Sequence, residues 1–171
     1  MEMEPRPTAV ISFNESAAAG LSNTAAIGGV SATISMTYTS RGQLQNLTDQ
    51  LGVVRRHTYS ATTEVLETVT EDYGTGKLNL VTTYAYDSVG NITSVTDPRS
   101  KVTTRTFDSK RQMTQTTSPS PLSYDTQMVY DKNGNVTQVK RETGVGGTPW
   151  QINATAYNAA NLPTSATDPL S

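Results

Sequence analysis

The chain has 171 residues, room for one domain or a short repeat array; its hydrophobic fraction of 35% falls below the globular norm and threonine occurs 29 times, a composition suited to thin sheets rather than a thick core. A formal net charge of −2, from 13 basic and 15 acidic residues, gives no field to hold a polyanion and argues against nucleic acid as a partner. The absence of cysteine excludes disulfides, thiolate zinc sites and cysteine nucleophiles, and no apolar run approaches the roughly 20 residues of a membrane-crossing helix, so no membrane insertion is expected.

The chain opens Met-Glu-Met-Glu-Pro, without the basic and apolar regions of a secretory signal. Residues 1–35 form a separate segment: from 16 to 34 it is rich in Ala, Gly, Ser and Asn and has no repeat register, which suits either a degenerate capping strand pair or an unstructured lead-in. Residues 36–171 repeat in about six units. A leading aromatic recurs as Tyr38, Tyr59, Tyr86, Phe107, Tyr130 and Tyr157, at intervals of 21, 27, 21, 23 and 27 residues. Six residues after each comes Leu44, Val65, Ile92, Met113, Val136 or Pro163, and eleven after three of them comes Asp49, Asp97 or Asp168. Pro98 and Pro169 follow, and Pro119 holds the same place in a third copy.

Each unit reads as strand, tight turn, strand. The approach alternates, as in Tyr84/Tyr86 and Met128/Tyr130, which sets the pair on one sheet face. The reversal follows at Asp87 to Gly90 and Asp131 to Gly134, where Asp offers a side-chain acceptor to the turn and Gly tolerates positive φ; these four residues are assigned as structural turns. Copies with Thr39, Ser60 or Asn158 in place of that Asp are expected to turn more loosely. The predicted fold is all-β: tandem hairpins in one twisted antiparallel sheet of about ten to twelve strands, or a partial shell, with no helix. One conflict stands, because the apolar positions six and nine after the aromatic have opposite parity and share a face only across a bulge. A single sheet also exposes Tyr86, Ile92, Tyr130 and Val136 on one face, through which copies could form a homo-oligomer.

The segments Tyr86-Asp87-Ser88-Val89-Gly90-Asn91-Ile92-Thr93-Ser94-Val95-Thr96-Asp97-Pro98 and Tyr130-Asp131-Lys132-Asn133-Gly134-Asn135-Val136-Thr137-Gln138-Val139 resemble the YD repeat of the Rhs family, and the loose register extends the likeness over residues 36–171. That family includes bacterial Rhs toxins, the C subunits of insecticidal toxin complexes, cell-wall-associated proteins and teneurins. The resemblance implies a long β-strip that spirals into a shell around a toxic domain, or builds a surface scaffold, with enzymatic activity outside the repeats. It also implies an extracellular or cell-surface place as part of a larger protein. Six units are too few to close such a shell, so the function of a whole shell does not carry over.

Candidate chemistry centres on the two 27-residue units, whose extra residues fall at 71–77 and 142–150, in both cases after the second strand. With two strands per unit both insertions leave the sheet at the same edge, gathering Tyr73 and Trp150 as an aromatic platform for carbohydrate beside the carboxylates Glu71, Asp72 and Glu142. The same residues also read as long hairpin loops with incidental aromatics. A glycoside hydrolase would need two carboxylates flanking the scissile bond, and Glu71, Asp72 and Glu142 are the candidates, although no motif selects among them. Glu64 and Glu67 extend the acidic stretch, which reads equally as a solvated strand face. His57 is the sole histidine and no Gly-x-Ser-x-Gly elbow accompanies it, which argues against a Ser–His–Asp relay. Asp-x-x-Gly falls short of a calcium loop, so no metal and no cofactor are expected. Arg55-Arg56-His57 reads as a solvated strand edge. Two functions follow: a structural or binding fragment of a bacterial surface or toxin-shell protein that contacts carbohydrate, or a small carbohydrate-active enzyme using carboxylates at one sheet edge.

Overall fold

The computed structural model describes residues 10–16, 20–27, 30–144 and 150–167, with side chains from residue 34 onward. The opening residues, residues 145–149 of the second insertion, and the Asp and Pro at 168 and 169 lie outside the described residues. No helix occurs among the described residues, as the threonine-rich, alternating sequence predicts. The strands are β1 (Val10–Ser16), β2 (Gly20–Ile27), β3 (Val30–Tyr38), β4 (Leu44–Thr48), β5 (Val54–Tyr59), β6 (Leu66–Glu71) and β7 (Leu80–Tyr86). They continue as β8 (Ile92–Thr96), β9 (Val102–Phe107), β10 (Met113–Thr117), β11 (Asp125–Tyr130), β12 (Val136–Glu142), β13 (Trp150–Tyr157) and β14 (Pro163–Thr167). All 14 belong to one sheet in chain order. The excess over the expected ten to twelve comes from β1 and β2, which form in the stretch without repeat register. By compactness the chain divides into two units, residues 1–83 and 84–171.

Each repeat aromatic is the last residue of an odd-numbered strand, and the even strand that follows starts after a short turn. The parity conflict in the sequence is resolved by a β-bulge. In the first unit Tyr38 faces Leu44 but Thr37 faces Asn46, so Gln45 is the extra residue, and Met36 then faces Leu47. In the second unit Tyr130 faces Val136, Val129 faces Gln138, and Met128 faces Val139. The same shift occurs at Tyr59, Phe107 and Tyr157. In the hairpins of Tyr38, Phe107, Tyr130 and Tyr157 one extra residue therefore brings positions six and nine onto the face of the aromatic. After Tyr59, whose turn is one residue longer, Val65 stays in the turn and Leu66 and Val69 take that face. Such cross-strand pairs contribute about 0.2–1 kcal/mol each.

Packing stays within the sheet. None of the described hydrophobic side chains is buried, and Thr70, 7% exposed, is the only buried side chain among the described residues. Large apolar residues such as Val81, Val102, Val129 and Ile152 are about 40% exposed. On the face opposite the aromatics, hydroxyls pair across the ladder, with the Oγ1 atoms 2.7 Å apart for Thr58 and Thr68 and 2.9 Å apart for Thr106 and Thr114.

Candidate functional site

The turns are built by one recurring scheme. Asp87 Oδ1 accepts from the backbone N–H of Val89 (3.0 Å) and of Asn91 (2.9 Å), while Asn91 Nδ2 donates to Asp87 Oδ2 at 2.8 Å. Asp131 repeats this with Asn133 and Asn135, each contact at 2.9 Å. The third residue after the Asp has positive φ, +90° at Gly90 and +89° at Gly134. These short, charge-assisted bonds, above all the one from the Asn side chain, hold the carboxyls of Asp87 and Asp131 below the ordinary aspartate range. Asp108 caps its turn in the same way, and Asp49 and Asp97 do so at the opposite ends of their strands.

The expectation of looser turns without Asp holds for some copies only. Asn158 gives the same pair of caps at 2.9 and 3.0 Å, since its amide oxygen accepts as a carboxylate does. Thr39 gives longer ones, 3.3 and 3.2 Å. Ser60 closes a turn one residue longer, with Glu64 at φ +61°.

The first insertion is a closed loop pinned onto β5. Tyr73 N–H donates to the carbonyl of Val54 at 2.9 Å. The Arg56 guanidinium lies 4.5 Å from the centroid of the Tyr73 ring and donates through Nη1 to the Tyr73 hydroxyl. A guanidinium over an exposed ring contributes about 0.5–1 kcal/mol and covers one of the faces a sugar would stack on. Asp72 Oδ2 accepts from Leu78 N–H at 3.0 Å, and Asn79 bonds Gly74 on both sides, donating through Nδ2 at 2.8 Å and accepting on Oδ1 at 2.9 Å. Glu71 Oε1 takes the Arg55 Nε donor at 2.6 Å.

In the second unit, Glu142 faces Trp150 across the β12–β13 ladder, and Glu142 Oε2 accepts from Asp125 N–H at 3.1 Å. Trp150 is half-buried as the first residue of β13. Each hydrolase candidate, Glu71, Asp72 and Glu142, thus already serves a loop or strand end. Tyr73 belongs to the first unit and Trp150 to the second, so each is placed by its own neighbours. The Arg55-Arg56-His57 run is divided by strand alternation: Arg55 goes to Glu71 and Arg56 to Tyr73. No group of three His, Asp or Glu side chains able to hold a metal occurs among the described residues.

Residues 86–121, from the aromatic that opens the third copy through the Asp97 turn and the Phe107 hairpin, match the family model described as RHS Repeat. Residues 86–121 therefore carry an Rhs repeat. The fold of the chain is also that of solved toxin-complex structures. The crystal structure of TcdB2-TccC3-Cdc42 matches with a TM-score of 0.70 at 16% identity, over 88% of this chain and 8% of that one. The TcdB2-TccC3 structure matches with a TM-score of 0.69 at 16% identity, over 87% and 8%. A Tc holotoxin pore from Photorhabdus luminescens matches with a TM-score of 0.68 at 15% identity, over 88% and 8%. The chain therefore spans about 8% of the length of the chains it matches. No curated protein matches it in sequence.

One structural feature of the repeated hairpins left little trace in the sequence. The tyrosine hydroxyl of one repeat donates to the backbone carbonyl of the residue six after the aromatic in the repeat before: Tyr59 to Leu44 (2.8 Å), Tyr130 to Met113 (2.8 Å) and Tyr157 to Val136 (3.2 Å). Each bond locks two successive hairpins in register, worth about 0.5–1.5 kcal/mol. In the second unit the Tyr86 hydroxyl is raised above the usual tyrosine range, first by partial burial and then by the neighbouring Tyr84.

The capped Asp residues set a pH dependence. Their carboxyls are lowered on folding, so they contribute stability that is fully present above the unfolded value of about 3.9 and is lost as pH falls through the lowered folded values. Thermal melts should be level from about pH 7 to 5 and fall below about pH 4. Replacing both Asp87 and Asp131 by Asn should flatten that acid limb. An acid limb of unchanged steepness in the double variant would show that other carboxyls govern it.

Proposed function

We propose that this chain is a structural strip of a larger extracellular or surface-displayed Rhs-type protein, one stretch of its repeat wall rather than an enzyme. The observation that carries this reading is a sheet of 14 strands in which no described hydrophobic residue is buried. A sheet ordinarily buries one face against another layer. Here the aromatic side, with Met36, Tyr38 and Leu47 in the first unit and Met128, Tyr130 and Val139 in the second, has only its own sheet for packing, which suits a segment covered by the rest of a larger body. The engagement of Glu71, Asp72 and Glu142 with loop and strand-end partners supports the same reading.

The test is a panel of chromogenic glycosides together with calorimetric titration of soluble glycans. A structural strip gives no turnover above a heat-treated control and no binding heat. Turnover abolished by Glu71→Gln or Glu142→Gln would overturn the proposal in favour of a glycoside hydrolase. Glycan binding weakened about tenfold or more by Trp150→Ala would instead assign the chain a carbohydrate-contacting role. The isolated chain should also self-associate through its uncovered face, seen as a rise in sedimentation coefficient with concentration.

A further inference from the structure

We propose that Asn133 is a self-modification site, at which the backbone nitrogen of Gly134 displaces ammonia from the side-chain amide and hydrolysis leaves an acidic residue that unties the last hairpin from the one before it. Of the ten asparagines, Asn133 is the one followed by glycine; each of the others precedes a residue whose side chain crowds the next backbone nitrogen. Asn133 is also exposed, at the tip of the turn between β11 and β12, where water reaches it. In the step itself a bond forms from Gly134 N to Asn133 Cγ, the Cγ–Nδ2 bond breaks, and the amide proton of Gly134 leaves with that nitrogen as ammonia. One water then opens the cyclic imide. Attack at Cγ gives aspartate, and attack at the Asn133 backbone carbonyl gives isoaspartate, in which the main chain runs through the side-chain methylene.

The structure gives this chemistry a gate and a consequence. Gly134 N–H donates to the Asp131 carbonyl at 3.1 Å, and Asp131 Oδ1 accepts from Asn133 N–H at 2.9 Å, so the nitrogen is free to attack only when the turn opens. The consequence lies at Asn161, in the turn between β13 and β14. Its Oδ1 accepts from Asn133 Nδ2 at 3.0 Å and from Asn135 Nδ2 at 2.8 Å. Conversion replaces the first donor by a carboxylate, which only accepts. Asn161 cannot serve both neighbours afterwards, because turning its amide to offer Nδ2 to the new carboxylate sets that donor against Asn135 Nδ2. In isoaspartate the added methylene also breaks the spacing that lets one Asp131 oxygen accept from both the Asn133 and the Asn135 N–H.

The test follows the full chain over weeks in neutral buffer at physiological temperature, by peptide-mapping mass spectrometry and backbone amide NMR. The peptide Asp-Lys-Asn-Gly-Asn-Val serves as the ungated reference, and Asn133→Gln, whose longer side chain would have to close a larger ring, as the unreactive control. Expected are an amide-to-acid mass shift at Asn133 ahead of every other asparagine, isoaspartate among the products, and a rate about tenfold or more below that of the peptide, the factor for a turn open about a tenth of the time or less. The amides of residues 158–162 should shift in the converted fraction, and Asn133→Asp should shift them at once, without incubation. No conversion of Asn133 once the peptide has reacted, conversion led by another asparagine, a rate equal to the peptide's, or unchanged amides at 158–162 in Asn133→Asp would each overturn the inference.

Discussion

Replacing Gly90 by Val should lower the melting temperature by several degrees, through a backbone cost of about 1–3 kcal/mol. Space is not the reason, since a Cβ at Gly90 would meet nothing within 4 Å. The reason is φ at +90°, beyond the left-handed basin that L residues reach, and a β-branched side chain is least able to follow. The chain supplies its own comparison. The same turn position is held by Ser100 (φ +60°), Arg111 (+65°) and Asn161 (+60°), whose values lie inside that basin. Gly90→Asn should therefore cost less than Gly90→Val, because the turn can relax toward the conformation its neighbours already use. Equal melting of wild type and Gly90→Val would remove the turn assignment, and equal loss in the Asn and Val variants would remove the conformational explanation.

The second large effect is a reciprocal pair. Tyr130→Phe deletes the hydroxyl bonded to the Met113 carbonyl and should cost about 0.5–1.5 kcal/mol, or roughly 2–4 °C per kcal/mol in a chain of this size. Phe107→Tyr should do the opposite. Phe107 ends β9, and Ser94 faces Thr104 in the register that brings a terminal hydroxyl to the Ile92 carbonyl, yet Phe offers no donor. Adding that donor should raise the melting temperature by a similar amount without changing the spectrum of the folded chain. Stabilisation by Phe107→Tyr is the more demanding result, since most substitutions destabilise. A neutral or destabilising outcome, with Tyr130→Phe still costly, would mean that the joint geometry does not transfer between repeats.

These two predictions mark what the sequence made legible. The aromatic register placed the end of every odd strand from β3 to β13, because a period-2 pattern broken by a tight turn, Asp-x-x-Gly in the two clearest copies, has few other solutions. The parity conflict between positions six and nine required a bulge, and Gln45 and Thr137 are its extra residues in two hairpins. The hydroxyl bonds between repeats were not legible, because their acceptor is a backbone carbonyl, which any residue supplies. Tyrosine in five of six copies, where phenylalanine would fill the same volume, was the one available signal. The loop at Tyr73 was visible as an insertion, but its partner Arg56 lies 17 residues earlier on β5, and only the strand order brings the two together. The same holds for the carboxylates. Glu71 and Glu142 stood out as candidates by charge alone, and the structure gives each a nearby donor, Arg55 Nε for one and the Asp125 N–H for the other.

The central claim is that the chain is a strip of repeated hairpins, each closed by a side-chain-capped turn. Backbone hydrogen exchange by NMR tests this most directly. The account predicts slow exchange at the amides that close successive turns, those of Asp49, Asp87, Asp97, Asp108, Asp131 and Asn158, alternating with fast exchange at the exposed turn tips. Rapid exchange at those closing amides, or protection in continuous blocks without the repeat interval, would contradict it.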